Sequence, residues 1–184
     1  SDFEDAIISY EQAIKIDSTY IDALCNLGIV LGILERFSEA EEKYKRALDL
    51  DPLDYKLNYY FADNLFNQGS YDKAEKFGLK ILGQDDSDPE VNNLIGKILQ
   101  KKENIKSIKF YRRALESPKR KDITLNNIGT FLFEKRKINK AIKLFCKSTV
   151  VNNYNKEAHI NLAYALLLKK YFALGWEKHE YRWR

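Results

Sequence analysis

Asparagine supplies the first chemistry legible in this chain. Asn26, Asn127 and Asn161 each open a triplet that ends in a small residue: Asn26-Leu27-Gly28, Asn127-Ile128-Gly129 and Asn161-Leu162-Ala163. A carboxamide offers one acceptor and two donors, so it can pair with a backbone peptide unit. A file of them would hold an extended chain without reading its side chains. Groups for bond-making chemistry are sparse by comparison. The only histidines, His159 and His179, stand in no HxxxH or HExxH array, and neither GxxxxGKS/T nor GxGxxG occurs. His159 reads as a packed core or groove imidazole. Asp85-Asp86-Ser87-Asp88 lacks the glycine and distal glutamate of a calcium loop and reads as a turn between helices. Cys25 and Cys146 are isolated and read as buried, reduced thiols. The chain is expected to be no enzyme and to need no metal or cofactor.

Tyr60-Phe61-Ala62 and Leu94-Ile95-Gly96 extend the triplets to a series of five. Their last residues are 34, 34, 33 and 34 positions apart. A period of this length signals stacked supersecondary units. Each unit reads as two helices. In residues 21–54, Ile21, Leu24, Leu27, Gly28 and Leu31 share one helical face. Glu35-Arg36-Phe37 makes the turn, and Ser38 with Glu41 reads as a capping box opening the second helix. Ala40, Tyr44, Ala47 and Leu48 line its inner face until Asp51-Pro52 ends it. Gly28 and Ala40 permit close approach of the two helices, and Tyr44 fills the space beside them.

These residues resemble the tetratricopeptide repeat (TPR) family, and residues 21–54 look like a near-consensus unit. The resemblance implies an all-α, right-handed superhelix, an α-solenoid. Residues 1–20 match a second helix alone; 21–54, 55–88, 89–121 and 122–155 are full repeats; 156–184 is an incomplete last one. Departures are Gly78 in place of an aromatic, Asp86 in place of proline, and the one-residue deficit in 89–121. That deficit predicts a tightened turn near Lys101–Asn104 or an early stop at Pro118. In the family the first helices form a concave wall. The resemblance therefore places Asn26, Tyr59, Tyr60, Asp63, Asn93, Lys97, Lys101, Asn127, Thr130, Asn161 and Tyr164 in a groove for a peptide or partner segment. The asparagines resemble the ladder of O-linked N-acetylglucosamine transferases, interrupted here by Tyr60 and Leu94; capping of neighbouring backbone is the competing role for them. A carboxylate clamp for chaperone C-termini is disfavoured because Asp22 stands where that clamp needs lysine, with Lys97 and Lys101 only partial substitutes. Gly175–Arg184 resembles the last repeat of bacterial TPR proteins that precedes a glycosyltransferase domain. The alternative to a scaffold is thus the substrate-recognition arm of a larger enzyme; the competing reading is a closing helix whose Trp176 and Trp183 complete the core.

Charge is uneven. Residues 1–91 carry 9 Lys/Arg and 20 Asp/Glu, whereas residues 92–184 carry 22 and 7. Solvated edges, an acidic protein partner on the C-terminal half, and head-to-tail contact between copies all fit. No recognised nucleic-acid motif supports a nucleic-acid partner. No apolar run approaches the roughly 20 residues of a membrane span. Neither end carries a polar cap, so an excerpt of a longer polypeptide is expected, with self-association through uncapped ends as a third outcome. Isolated cysteines lean towards a reducing, cytoplasmic setting.

Overall fold

The computed structural model describes the main chain over residues 2–183 and side chains over residues 2–181. Among the described residues there are eleven α-helices and no strand. They are α1 (Asp2–Ile16), α2 (Ile21–Ile33), α3 (Phe37–Leu50), α4 (Tyr55–Asn67), α5 (Tyr71–Leu82), α6 (Pro89–Lys101), α7 (Ser107–Glu116), α8 (Lys121–Glu134), α9 (Ile138–Val151), α10 (Lys156–Leu168) and α11 (Phe172–His179), followed by a 3₁₀ turn, Glu180–Trp183. The chain forms two compact units, Ser1–Asp86 with α1–α5 and Ser87–Arg184 with α6–α11.

One turn joins the two helices of every pair. Glu35, Gly69, Glu103, Arg136 and Lys170 adopt positive φ between 55° and 85°. The next residue's N–H donates to the carbonyl five residues back: Arg36 to Leu31, Ser70 to Leu65, Asn104 to Leu99, Lys137 to Leu132 and Tyr171 to Leu166, at 2.8–3.0 Å. The positive-φ N–H itself reaches back three residues, as Glu35 does to Gly32. This pair of bonds is the Schellman motif, which satisfies the orphan carbonyls of a helix end. In four of the five pairs the left-handed position is not glycine. Arg36, Ser70, Lys137 and Tyr171 close one helix and cap the next, and none uses its side chain as a cap. The expected Ser38–Glu41 capping box is therefore absent. Ser38 lies inside the first turn of α3, and Arg36 instead pairs its guanidinium with Glu39 at 2.7 and 2.6 Å. First helices α4, α6 and α10 are capped by side chains, Asp54, Asp88 and Asn155. Asp88 closes the acidic run onto Glu90 N and Val91 N.

The short repeat keeps its turn and loses its one residue between that turn and Tyr111. The second helix elsewhere starts two residues after the left-handed position, but α7 starts four after Glu103. The N–H groups of Ser107, Ile108 and Lys109 bond three residues back, to Asn104, Ile105 and Lys106. Tighter 3₁₀ bonding takes up the missing residue, so Tyr111 still meets Gly96. The tightening thus lies just past Lys101–Asn104, and α7 also ends at Glu116, ahead of Pro118.

Ring against glycine locks the helices of a pair. A Cβ on Gly28 would fall 2.8 Å from the Tyr44 ring, one on Gly96 2.5 Å from Tyr111, and one on Gly129 2.5 Å from Phe145. All three rings are fully buried. Where Gly78 lacks the ring, Phe77 packs 4.7 Å from Phe61, which stands 5.7 Å from Tyr44.

Polar groups fasten neighbouring helices of the second unit. The Asp122 carboxylate accepts from Asn152 and Asn155 at 3.0 and 2.9 Å, and its carbonyl accepts from Ser148 Oγ at 2.7 Å. His159 is buried, with Nε2 3.0 Å from the Asn153 carbonyl, and its ring stacks on Tyr181 at 3.6 Å. Burial holds its pKa below the usual imidazole value. Cys25 is buried and its thiol is pushed up to about 11 by desolvation. Cys146, expected to be buried, is exposed on α9. Trp176, offered as a core-closing residue, is 58% exposed, and the Trp183 side chain lies outside the described residues.

Gly129→Ala is expected to destabilise the second unit by about 1–2 kcal/mol, because overpacking against Phe145 outweighs the helix-propensity gain; thermal melting reads it. Arg136→Gly should act oppositely, raising stability by up to about 1 kcal/mol through relief of the left-handed strain. Desolvation makes the folded His159 harder to protonate than the unfolded one. Stability of the second unit is therefore full above about pH 6.5 and falls as the pH drops below it. A His159→Phe variant should show a flatter melting profile between about pH 7 and 5.

Candidate functional site

In the first unit the exposed faces of α2 and α4 frame a cleft of about 290 Å³. It is lined by Ile29, Gly32 and Ile33 from α2, Tyr44 from α3, and Tyr60, Asp63, Asn64 and Asn67 from α4. Helical spacing explains the set: residues three and four apart share a face. Tyr60 and Asp63, both expected in the groove, meet here, and Tyr59 packs edge-on against Tyr60 at 5.4 Å. Asn67 Nδ2 approaches Asp63 Oδ2 at 3.3 Å. Asn26 sits half-buried on α2, outside the cleft lining.

In the second unit the asparagines bond to one another. Asn127 Nδ2 donates to Asn93 Oδ1 at 3.3 Å, and Asn161 Nδ2 to Asn126 Oδ1 at 3.0 Å. Asn93 is itself buried and donates to Thr124 Oγ1 at 2.8 Å. It links α6 to α8, and both ends of its amide are engaged within the protein, Nδ2 on Thr124 and Oδ1 on Asn127. Asn127 and Asn161 remain half-buried, each keeping an Oδ1 that accepts no hydrogen bond among the described residues. Thr130 turns its hydroxyl onto the Asn126 carbonyl at 3.1 Å. Tyr164 is 54% exposed and lies 6.0 Å from the His179 ring. Lys97 is half-buried and engaged.

Lys101 belongs to a different place. It lines a cleft of about 520 Å³ with Gln100, Glu103, Ile105, Phe131, Glu134 and Lys135. Gln100 donates to Glu134 at 2.7 Å and accepts from the Tyr111 hydroxyl at 2.8 Å. Gln100, Glu134 and Asn64 were not legible as site residues. Helical period fixes which face a residue takes, but only the packed neighbours reveal which face borders a cleft. No cluster of three or more His, Cys, Asp or Glu side chains among the described residues could hold a metal ion. No helix among them is long and apolar enough to cross a membrane.

Family models match two stretches, residues 34–98 as a tetratricopeptide repeat and residues 1–32 as a TPR repeat, together just over half of the chain. No curated protein sequence matches significantly. Solved structures share the fold. A tetratricopeptide repeat protein from Parabacteroides merdae aligns over 96% of this chain and 70% of its own, at TM-score 0.87 and 16% identity. YrrB, a TPR protein with an unusual peptide-binding site, aligns over 94% and 89%, at TM-score 0.61 and 18% identity. Yeast Tom70 aligns over 94% of this chain and 37% of its own, at TM-score 0.72 and 21% identity. Sequence models and fold converge on one assignment, and the chain belongs to the tetratricopeptide repeat family.

Proposed function

We propose that this chain is a protein-interaction module that holds an extended segment of a partner protein against the first helices of its repeats. The observation that carries this reading is the fixed pair of amides, Asn127 and Asn161. Each is tethered through Nδ2 to an asparagine of the preceding first helix, and each keeps an Oδ1 for an incoming backbone N–H. Tethering before the partner arrives lowers the entropy lost on binding. Tyr164 adds exposed aromatic area of the kind that anchors interfaces. The second unit carries 22 Lys/Arg against 9 Asp/Glu, which favours an acidic segment there. YrrB, similar in fold, has a peptide-binding site. A reducing, cytoplasmic setting suits the free Cys25 and the exposed Cys146. The reading as an arm of a glycosyltransferase rests on the sequence of residues 175–184 alone.

The test is a double replacement, Asn127→Ala with Asn161→Ala, assayed against acidic peptides selected on the intact chain. Loss of two neutral hydrogen bonds should weaken capture about tenfold. Unchanged affinity in a variant that melts like the parent would remove the amides from the binding surface. Capture should also weaken as salt rises from about 50 to 200 mM; a salt-insensitive affinity sinks the acidic partner.

A further inference from the structure

The cleft of the first unit lies in a unit opposite in net charge to the second. Ile29 and Ile33 form an apolar wall, and Ile33 is 58% exposed. The Tyr60 ring stands on the other side, with the Asp63 carboxylate on the same helix one turn further on. Among the described residues Asp63 has no Lys or Arg ion pair; its hydrogen bond is the long one from Asn67. Five of the unit's nine cations are engaged elsewhere: Arg36 on Glu39, Lys43 on Glu42, Lys45 and Lys73 towards Glu41, and Lys80 on the Pro52 carbonyl. Asn64 lines the floor, is 4% exposed, and donates through Nδ2 to the Phe37 carbonyl at 3.2 Å. Its buried Oδ1 has no hydrogen-bond partner. A buried acceptor left unpaired is costly, and native structures leave few of them.

We infer that this cleft receives an arginine side chain from the partner segment, with the aliphatic stem along Ile29 and Ile33 and the guanidinium on Asp63. The inference rests on the binding role proposed above and names what the first unit selects. Three features favour this occupant. The cleft is lined by apolar residues along α2 and ends in a carboxylate, which matches a side chain with a hydrophobic stem and a cationic tip. A planar guanidinium can lie flat against the Tyr60 ring while its edge donates in a fixed fork to Asp63, a two-point geometry that a compact ammonium lacks. Its several N–H groups in a fixed fork leave donors over for the orphaned acceptor at the cleft floor. The surrounding charge agrees: the first unit has 18 Asp/Glu against 9 Lys/Arg. A partner fitted to both units would carry a basic stretch for one and an acidic stretch for the other.

The probe is the blocked peptide acetyl-Gly-Ala-Arg-Ala-Gly-amide, titrated into the full chain and followed by amide chemical shifts. Its citrulline counterpart, of the same shape without the charge, is the control. Shifts should concentrate on Ile29, Ile33, Tyr60 and Asp63 with the arginine probe. They should weaken about tenfold with citrulline, and by as much in Asp63→Asn, whose melting temperature should match the parent. Equal response to citrulline, shifts centred elsewhere, or an unaffected Asp63→Asn variant overturns the assignment. If the arginine probe fails while acidic peptides still shift Asn127 and Asn161, the cleft assignment alone falls. If neither peptide class moves any first-helix amide, the binding role falls with it.

Discussion

Contact between a side-chain ring and a glycine is the constraint on which this structure depends. Gly28, Gly96 and Gly129 leave no room for a methyl group because Tyr44, Tyr111 and Phe145 already occupy it. The ring gains nearly complete burial, worth about 1.5–3 kcal/mol for a large apolar side chain. In exchange the glycine costs its own helix about 1 kcal/mol relative to alanine. That exchange explains why a helix-breaking residue recurs at mid-helix in a fold with no other use for it. It also fixes the interval between the two residues, which in turn fixes how the short repeat must be built. One residue is missing between Gly96 and Tyr111, and the structure gives up α-helical bonding at Ser107–Lys109 sooner than move the ring.

Regularity in the turns arises from the same constraint. A ring that must arrive at a set height on the facing helix needs a connection of set length and direction. The Schellman turn supplies both, and it recurs with Glu35, Glu103, Arg136 and Lys170 held left-handed although only Gly69 suits that backbone well. Local strain is accepted at four turns because tertiary packing over-determines them. The turn residue also caps the next helix, so no room remains for a serine cap two positions later.

The helix pairs, their order and the ring–glycine contacts were legible because each depends on period and residue size, which a sequence displays directly. The fate of individual polar side chains was less so. Asn93 stands one place earlier in its repeat than Asn26, Asn127 and Asn161 do in theirs, and it is buried between helices with Asn127 hanging on it. Its partner Thr124 comes from the next first helix, whereas Asn161 finds its acceptor, Asn126, on the preceding one. Cys146 obeys the same rule. Next to the buried Phe145 it faces outward, because adjacent helical residues point about 100° apart. Neighbours in space decide these cases, and they are set by how repeats stack.

The amides also fall into two sets within one residue type. Asn58, Asn92 and the histidine at the corresponding place, His159, hold the carbonyls that precede their own helices. Further along α8 and α10, Asn127 and Asn161 bridge first helices and stay half open. The first set is committed to the loop between repeats, where an unsatisfied carbonyl would cost about as much as a lost hydrogen bond. The second set ties one first helix to the next, and its tethers leave an Oδ1 on each amide without a hydrogen bond among the described residues. One repeat pattern thus yields two sets of polar groups: one closes the loop before its own helix, and the other ties one first helix to the next.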